Sequence, residues 1–89
     1  MPWRIEFSVE ADRELRKLDP QHSKRIVKFL SERLATLDDP RSIGKALQAS
    51  RLSEFWRYRV GPFRLVCKIE DDRLLVLVLR VGDRKEIYR

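Results

Sequence analysis

Residues 56–67 read WRYRVGPFRLVC, and the three arginines in that stretch, Arg57, Arg59 and Arg64, are the groups best placed to act on an anion. They alternate with Trp56, Tyr58 and Val60 before Gly61-Pro62, and with Phe63, Leu65 and Cys67 after it. Such alternation predicts two half-buried strands, and Gly-Pro between them predicts a tight turn. A two-residue turn sets Val60 opposite Phe63 and Arg59 opposite Arg64, with the two arginine Cβ atoms ~5 Å apart. Arg57 falls on the same face, away from the core. Like charges directly opposite across a hairpin oppose folding, so the cluster asks for an absent polyanion; the plainer alternative is the solvated outer face of a basic protein.

The bulk composition points the same way. Twenty Lys and Arg against fourteen Asp and Glu leave a net charge of +6, which suits nucleic acid, an acidic protein segment or a membrane surface. With 43% hydrophobic and 38% charged residues among 89, the chain reads as one folded domain, 1–89, with a single modest core. One cysteine, Cys67, can form neither an internal disulfide nor a metal cluster, which predicts a reducing compartment. The start MPWRIEFSVE lacks the apolar stretch of a signal peptide, and no apolar run is long enough to span a bilayer. The expectation is a cytoplasmic protein with no membrane association.

The elements that must position the arginines follow from periodicity. WRIEF predicts a first strand with Trp3, Ile5 and Phe7 on one face. Ser8 is the expected cap of a short helix whose apolar stripe is Val9, Ala11, Leu15 and Leu18. Asp19-Pro20 starts a second helix running to about Leu37, with Ile26, Val27, Leu30, Leu34 and Leu37 buried. DDPRSIG ends that helix, and Lys45–Arg51 carries no clear signal. Strands at 55–60, 63–69 and 73–81 then form a meander, the third apolar on both faces and so expected in a central position. The fold class is α+β: an N-terminal strand and two helices packed on one face of a mainly antiparallel sheet, in the order β-α-α-β-β-β. In the third strand, Leu74, Val76 and Val78 are expected to face the helices, leaving Leu75, Leu77, Leu79 and Val81 on the arginine side. The closing RVGDRKEIYR adds Arg84, Lys85, Tyr88 and Arg89, where a loop can return to that side.

The order of these elements resembles the RelE/ParE superfamily of bacterial toxins, and more closely its RelE-type branch. The resemblance is carried by W-R-x-R before the turn, F-R-L-V after it and V-G-x-R-K-E-I-Y-R at the end. It implies a toxin of a type II toxin–antitoxin system that cleaves mRNA in the ribosomal A site. It also implies a cognate antitoxin, short and acidic with a DNA-binding end, in a hetero-oligomer that reaches operator DNA through the antitoxin. By resemblance Arg57 and Arg59 surround the scissile phosphate, Arg64 stabilises it, and Arg84 and Tyr88 serve proton transfer. Lys45, Lys85 and Arg89 complete the expected RNA-binding set. Attack by a 2′-hydroxyl needs a proton acceptor, cationic stabilisation of the phosphorane-like transition state and a donor for the departing 5′ oxygen. Surrounding arginines favour the phenolate of Tyr88, the candidate base. His22, on the predicted helix away from the hairpin, argues against a His-dependent mechanism, and neither a metal nor another cofactor is expected. Asp83 stands where relatives often carry a histidine or another basic residue, and the C-terminal helix that some relatives have is not expected here.

Two other readings share the fold: a ParE-type inhibitor of DNA gyrase, and a non-catalytic basic binding module. The resemblance to RelE-type toxins also gives Leu75, Leu77, Leu79 and Val81 an occupant, an amphipathic antitoxin segment whose acidic residues meet the arginines. The first strand and the 38–51 loop are the other candidate cover.

Overall fold

The computed structural model of the protein describes residues 3–47 and 55–83. Strand β1 (Arg4–Phe7) leads into helices α1 (Val9–Arg16) and α2 (Pro20–Lys28), followed by β2 (Lys45–Ala46), β3 (Phe55–Val60), β4 (Phe63–Glu70) and β5 (Leu75–Asp83). The sheet order is β1-β5-β4-β3-β2. The meander β3-β4-β5 is antiparallel, as its short turns require, while β1 pairs parallel with β5. That pairing makes β5 internal and accounts for its near-continuous apolar run. Strand β2, in the stretch without a clear signal, adds Lys45 opposite Arg57 and Ala46 opposite Trp56. No described helix is long and apolar enough to cross a membrane.

Ser8 starts α1 as its side chain predicts: Oγ accepts the Ala11 N–H at 3.0 Å and donates to the Leu79 carbonyl at 3.0 Å. Ala11 is buried, and Leu15 and Leu18 pack on the core. Val9 does not join them and is 71% exposed. It sits two residues from Ala11, about 200° round the helix, so the two cannot share a stripe. Helix α2 begins at Pro20, though Asp19 makes no side-chain cap bond. Past Lys28 it widens into a π-helical stretch, Phe29–Leu34, marked by the Ala35 N–H donating to the Leu30 carbonyl. Ile26, Leu30 and Leu34 face the sheet with almost no exposure, whereas Val27, expected beside them, is 42% exposed. One residue beyond Ile26, it is turned about 100° away from the core.

Strand β5 departs from simple alternation in two places. Leu74 does not face the helices: it closes the β4–β5 turn in the left-handed region (φ 47°), exposed, with its carbonyl accepting the Arg4 N–H. Farther on, Cys67 pairs with Val78 but Val66 with Arg80, so Leu79 is an extra residue. Such a bulge resets which face the later residues take. Val81, expected on the arginine side, therefore lies in the helix-side core with Leu65 and Cys67. Leu75 is 1% exposed and has no surface to offer a partner. Of the four residues expected to need an external cover, Leu77 and Leu79 remain partly exposed.

The end of β5 is held by α1. Beyond Phe7, the last residue of β1 paired with β5, the Val81 N–H donates to Glu14 Oε1 at 2.8 Å. Glu14 also takes the Arg80 guanidinium at 2.9 and 3.1 Å. At the other edge, the buried Tyr58 hydroxyl donates to the Pro40 carbonyl at 2.9 Å, and burial pushes its pKa well above the usual phenol range. Gly44 makes room for that ring, since a Cβ there would lie 2.7 Å from Tyr58 Cε1. Gly44→Ala is expected to cost about 1–3 kcal/mol by displacing the ring. Thermal unfolding checks this, and an unchanged midpoint would mean that the ring yields freely.

Arg41 ties the turn after α2 to the β4–β5 turn through a bidentate contact with Asp71 at 3.0 and 2.6 Å. The hydrogen bonds from Arg41 hold the Asp71 carboxyl below its ordinary value. A carboxylate with a lowered folded pKa stabilises the fold above its unfolded pKa, near ~3.9, and that stabilisation is lost as pH falls through the folded value. The pair is largely solvated, so Asp71→Asn should cost less than about 1 kcal/mol at neutral pH. The difference from the parent should vanish in acid below the ordinary carboxylate range, which melting curves across pH will show.

Candidate nucleic-acid interface

Gly61, with φ +57°, lets β3 reverse into β4 within the tight turn. The resulting register pairs Val60 with Phe63, Arg59 with Arg64, and Arg57 with Val66. Tyr58, Val60, Leu65 and Cys67 belong to the core under the helices, so alternation sends Arg57, Arg59 and Arg64 to the opposite face. Lys45 extends the row from β2 as the direct neighbour of Arg57. On the other side, Arg64 is paired with Gly82 of β5, which adds no side chain beside the guanidinium. Arg59 is exposed, and Arg57 and Arg64 are partly so.

The charges here differ from those elsewhere in the molecule. Arg80 is neutralised by Glu14 and Glu10, and Arg41 by Asp71 and Asp39. Among the described residues, Arg57, Arg59, Arg64 and Lys45 make no ion pair. Four neighbouring cations without a carboxylate produce a strongly positive surface that a phosphodiester backbone can neutralise, each arginine fork being able to hold two phosphate oxygens. Among the described residues, no group of three or more His, Cys, Asp and Glu could hold a metal.

The structure thus brings together Arg57, Arg59, Arg64 and Lys45. Arg84, Lys85, Tyr88 and Arg89 lie outside the described residues. His22 is not remote from the hairpin: its ring meets Phe63 edge-on at 5.0 Å. Phe63 packs on the helix-side core, which leaves the imidazole on the face opposite the arginines. Sequence reasoning missed a second basic group, Arg25, Lys28 and Arg33, which borders the same hairpin. Its signal was the run of cations on the exposed side of the second helix.

Comparison with known proteins agrees with this architecture. The family model for the ParE toxin of the type II toxin–antitoxin system parDE matches residues 5–88. Toxin RelG of Mycobacterium tuberculosis is 35% identical over 89 residues, spanning 100% of this chain and 99% of that protein. The toxin–antitoxin complex RelBE2 of Mycobacterium tuberculosis contains a chain that superimposes with a TM-score of 0.83 at 31% identity, covering 97% of this chain and 95% of that one. The isolated RelE toxin of E. coli superimposes with a TM-score of 0.72 at 26% identity, covering 97% and 90%. The chain belongs to the RelE/ParE superfamily and is a RelE-like toxin of a type II toxin–antitoxin system.

Proposed function

We propose that this toxin is a ribosome-dependent mRNA endonuclease acting in the cytoplasm, restrained by a cognate antitoxin. The observation that carries the reading is the Arg59–Arg64 pair, flanked by Arg57 and Lys45 on one face of the hairpin. Folding alone disfavours that arrangement, and bound RNA relieves it. In the reaction, Arg64 stabilises the charge that develops on the scissile phosphate, while Arg57, Arg59 and Lys45 hold the strand. Tyr88 takes the proton of the attacking 2′-hydroxyl and Arg84 assists at the departing 5′ oxygen, with Lys85 and Arg89 on the flanking phosphates. The reaction needs no metal in this scheme. The relatives of known structure include RelB–RelE complexes from E. coli and from Pyrococcus horikoshii; here too an antitoxin of that kind is the natural partner, carrying the toxin to operator DNA.

Purified toxin should cut mRNA on programmed ribosomes and leave supercoiling by DNA gyrase unaffected. The match to a ParE family model favours gyrase inhibition as the second reading. Intact mRNA together with inhibited gyrase would establish it in place of the first.

A further inference from the structure

Strand β5 loses its β1 neighbour past Phe7 and Val78, and the cap and second turn of α1 take over that edge. The Ser8 N–H donates to the Val78 carbonyl at 2.9 Å, and its Oγ donates to the Leu79 carbonyl at 3.0 Å. Two residues farther on, Glu14 Oε1 accepts the Val81 N–H at 2.8 Å. Backbone groups on a strand edge need such partners once no strand lies beside them. Here the last acceptor is a carboxylate, whose charge strengthens the bond to a backbone N–H.

These contacts bracket the bulge at Leu79, and the bulge decides what stands beside Arg64. Cys67 pairs with Val78, so uninterrupted pairing would set Leu79 opposite Val66, Arg80 opposite Leu65 and Val81 opposite Arg64. The extra residue moves each position by one. Arg80 meets Val66, Val81 joins Leu65 in the core, and Gly82 comes to lie beside Arg64. A glycine leaves that flank of the guanidinium open to a phosphate, where a valine would fill it. Arg80 then stands in the cross-strand row of Val66, Arg57 and Lys45. Glu14 nevertheless holds its guanidinium at 2.9 and 3.1 Å, with Glu10 Oε2 at 3.7 Å, which withdraws one cation from the row.

We propose that Glu14 is a positioning residue for mRNA cleavage: its bond to the Val81 N–H fixes the end of β5 after the bulge, keeps Gly82 beside Arg64 and sets where the chain continues to Arg84. The inference rests on the nuclease reading above and adds a residue that acts through the strand rather than on RNA. The phosphate-holding cations Arg57, Arg59 and Lys45 lie on other strands, so losing this bond should slow the chemical step without weakening RNA binding.

The test compares Glu14→Asp with Glu14→Gln in single-turnover cleavage of mRNA on programmed ribosomes, with toxin in excess and at a temperature where circular dichroism shows both variants folded. Aspartate keeps the charge but is one methylene too short to reach the Val81 N–H. Glutamine gives up the ion pair with Arg80 and keeps an oxygen that can accept that N–H. Glu14→Asp should lower the maximal rate about 10- to 100-fold, the effect of a small misplacement, with the half-saturating toxin concentration unchanged or lower. Glu14→Gln should keep most of the parent rate. A Glu14→Asp variant as fast as the parent would make the contact purely structural and overturn the proposal. So would a Glu14→Gln variant as slow as Glu14→Asp, since the ion pair rather than the Val81 bond would then matter. A raised half-saturation with the maximal rate kept would place Glu14 in RNA binding and overturn it equally. A parent protein that cut no mRNA would defeat the nuclease reading and this inference with it, whereas an active parent matched by Glu14→Asp would defeat this inference alone.

Discussion

Arg64→Ala is expected to slow mRNA cleavage on programmed ribosomes by about 100- to 1,000-fold, equivalent to about 3–4 kcal/mol of lost transition-state stabilisation. The magnitude follows from removing a fixed cation at a site where negative charge develops. Its partner result concerns stability. Arg64 lies directly opposite Arg59 with no carboxylate between them, so alanine relieves a repulsion worth a few tenths of a kcal/mol. The melting temperature should hold or rise while activity collapses. A merely solvated arginine would leave the rate unchanged, and a structural one would lower both together. Arg84→Ala and Tyr88→Phe belong to the same expectation, as the proposed proton-transfer pair, and each should relieve toxicity. Full cleavage by the Arg64 variant would remove the arginine face from the mechanism.

The largest effect on stability is expected for Leu30→Ala. Leu30 is 1% exposed and sits in the π-helical stretch, its carbonyl bonded to the Ala35 N–H. Truncating a buried leucine leaves a cavity that its neighbours fill only in part, at a cost of about 2–5 kcal/mol. For a chain of this length each kcal/mol lowers the melting temperature by about 4–8 °C. A drop of about 8–40 °C in thermal unfolding is therefore expected, against a total stability of about 5–10 kcal/mol. A shift of only a few degrees would show that the wide turns tolerate repacking and that the second helix is not anchored there. The exposed neighbour Val27 supplies the contrast: Val27→Ala should change the midpoint little.

The register of the hairpin is legible in the amino-acid sequence alone, and with it the placement of Arg59 against Arg64. A tight turn leaves the two strands no freedom of phase, so local sequence determines which residues meet and which face they take. The same holds for the Ser8 cap and for the core positions of α1 from Ala11 onward, because each depends on groups within one helical turn. Tertiary structure decided the rest. Val81 changes face because of a bulge opposite Val66 and Cys67, and an extra residue in one strand is invisible to a periodicity of two. The parallel pairing of β1 with β5 brings together segments about seventy residues apart, as does the grip of Glu14 on Arg80 and Val81. The second basic group meets the hairpin only because a helix carrying Arg25, Lys28 and Arg33 is laid beside a turn whose glycine lets Arg25 close in. Their charge is a property of composition; their convergence beside the hairpin depends on packing the helix against the sheet, which no local pattern encodes.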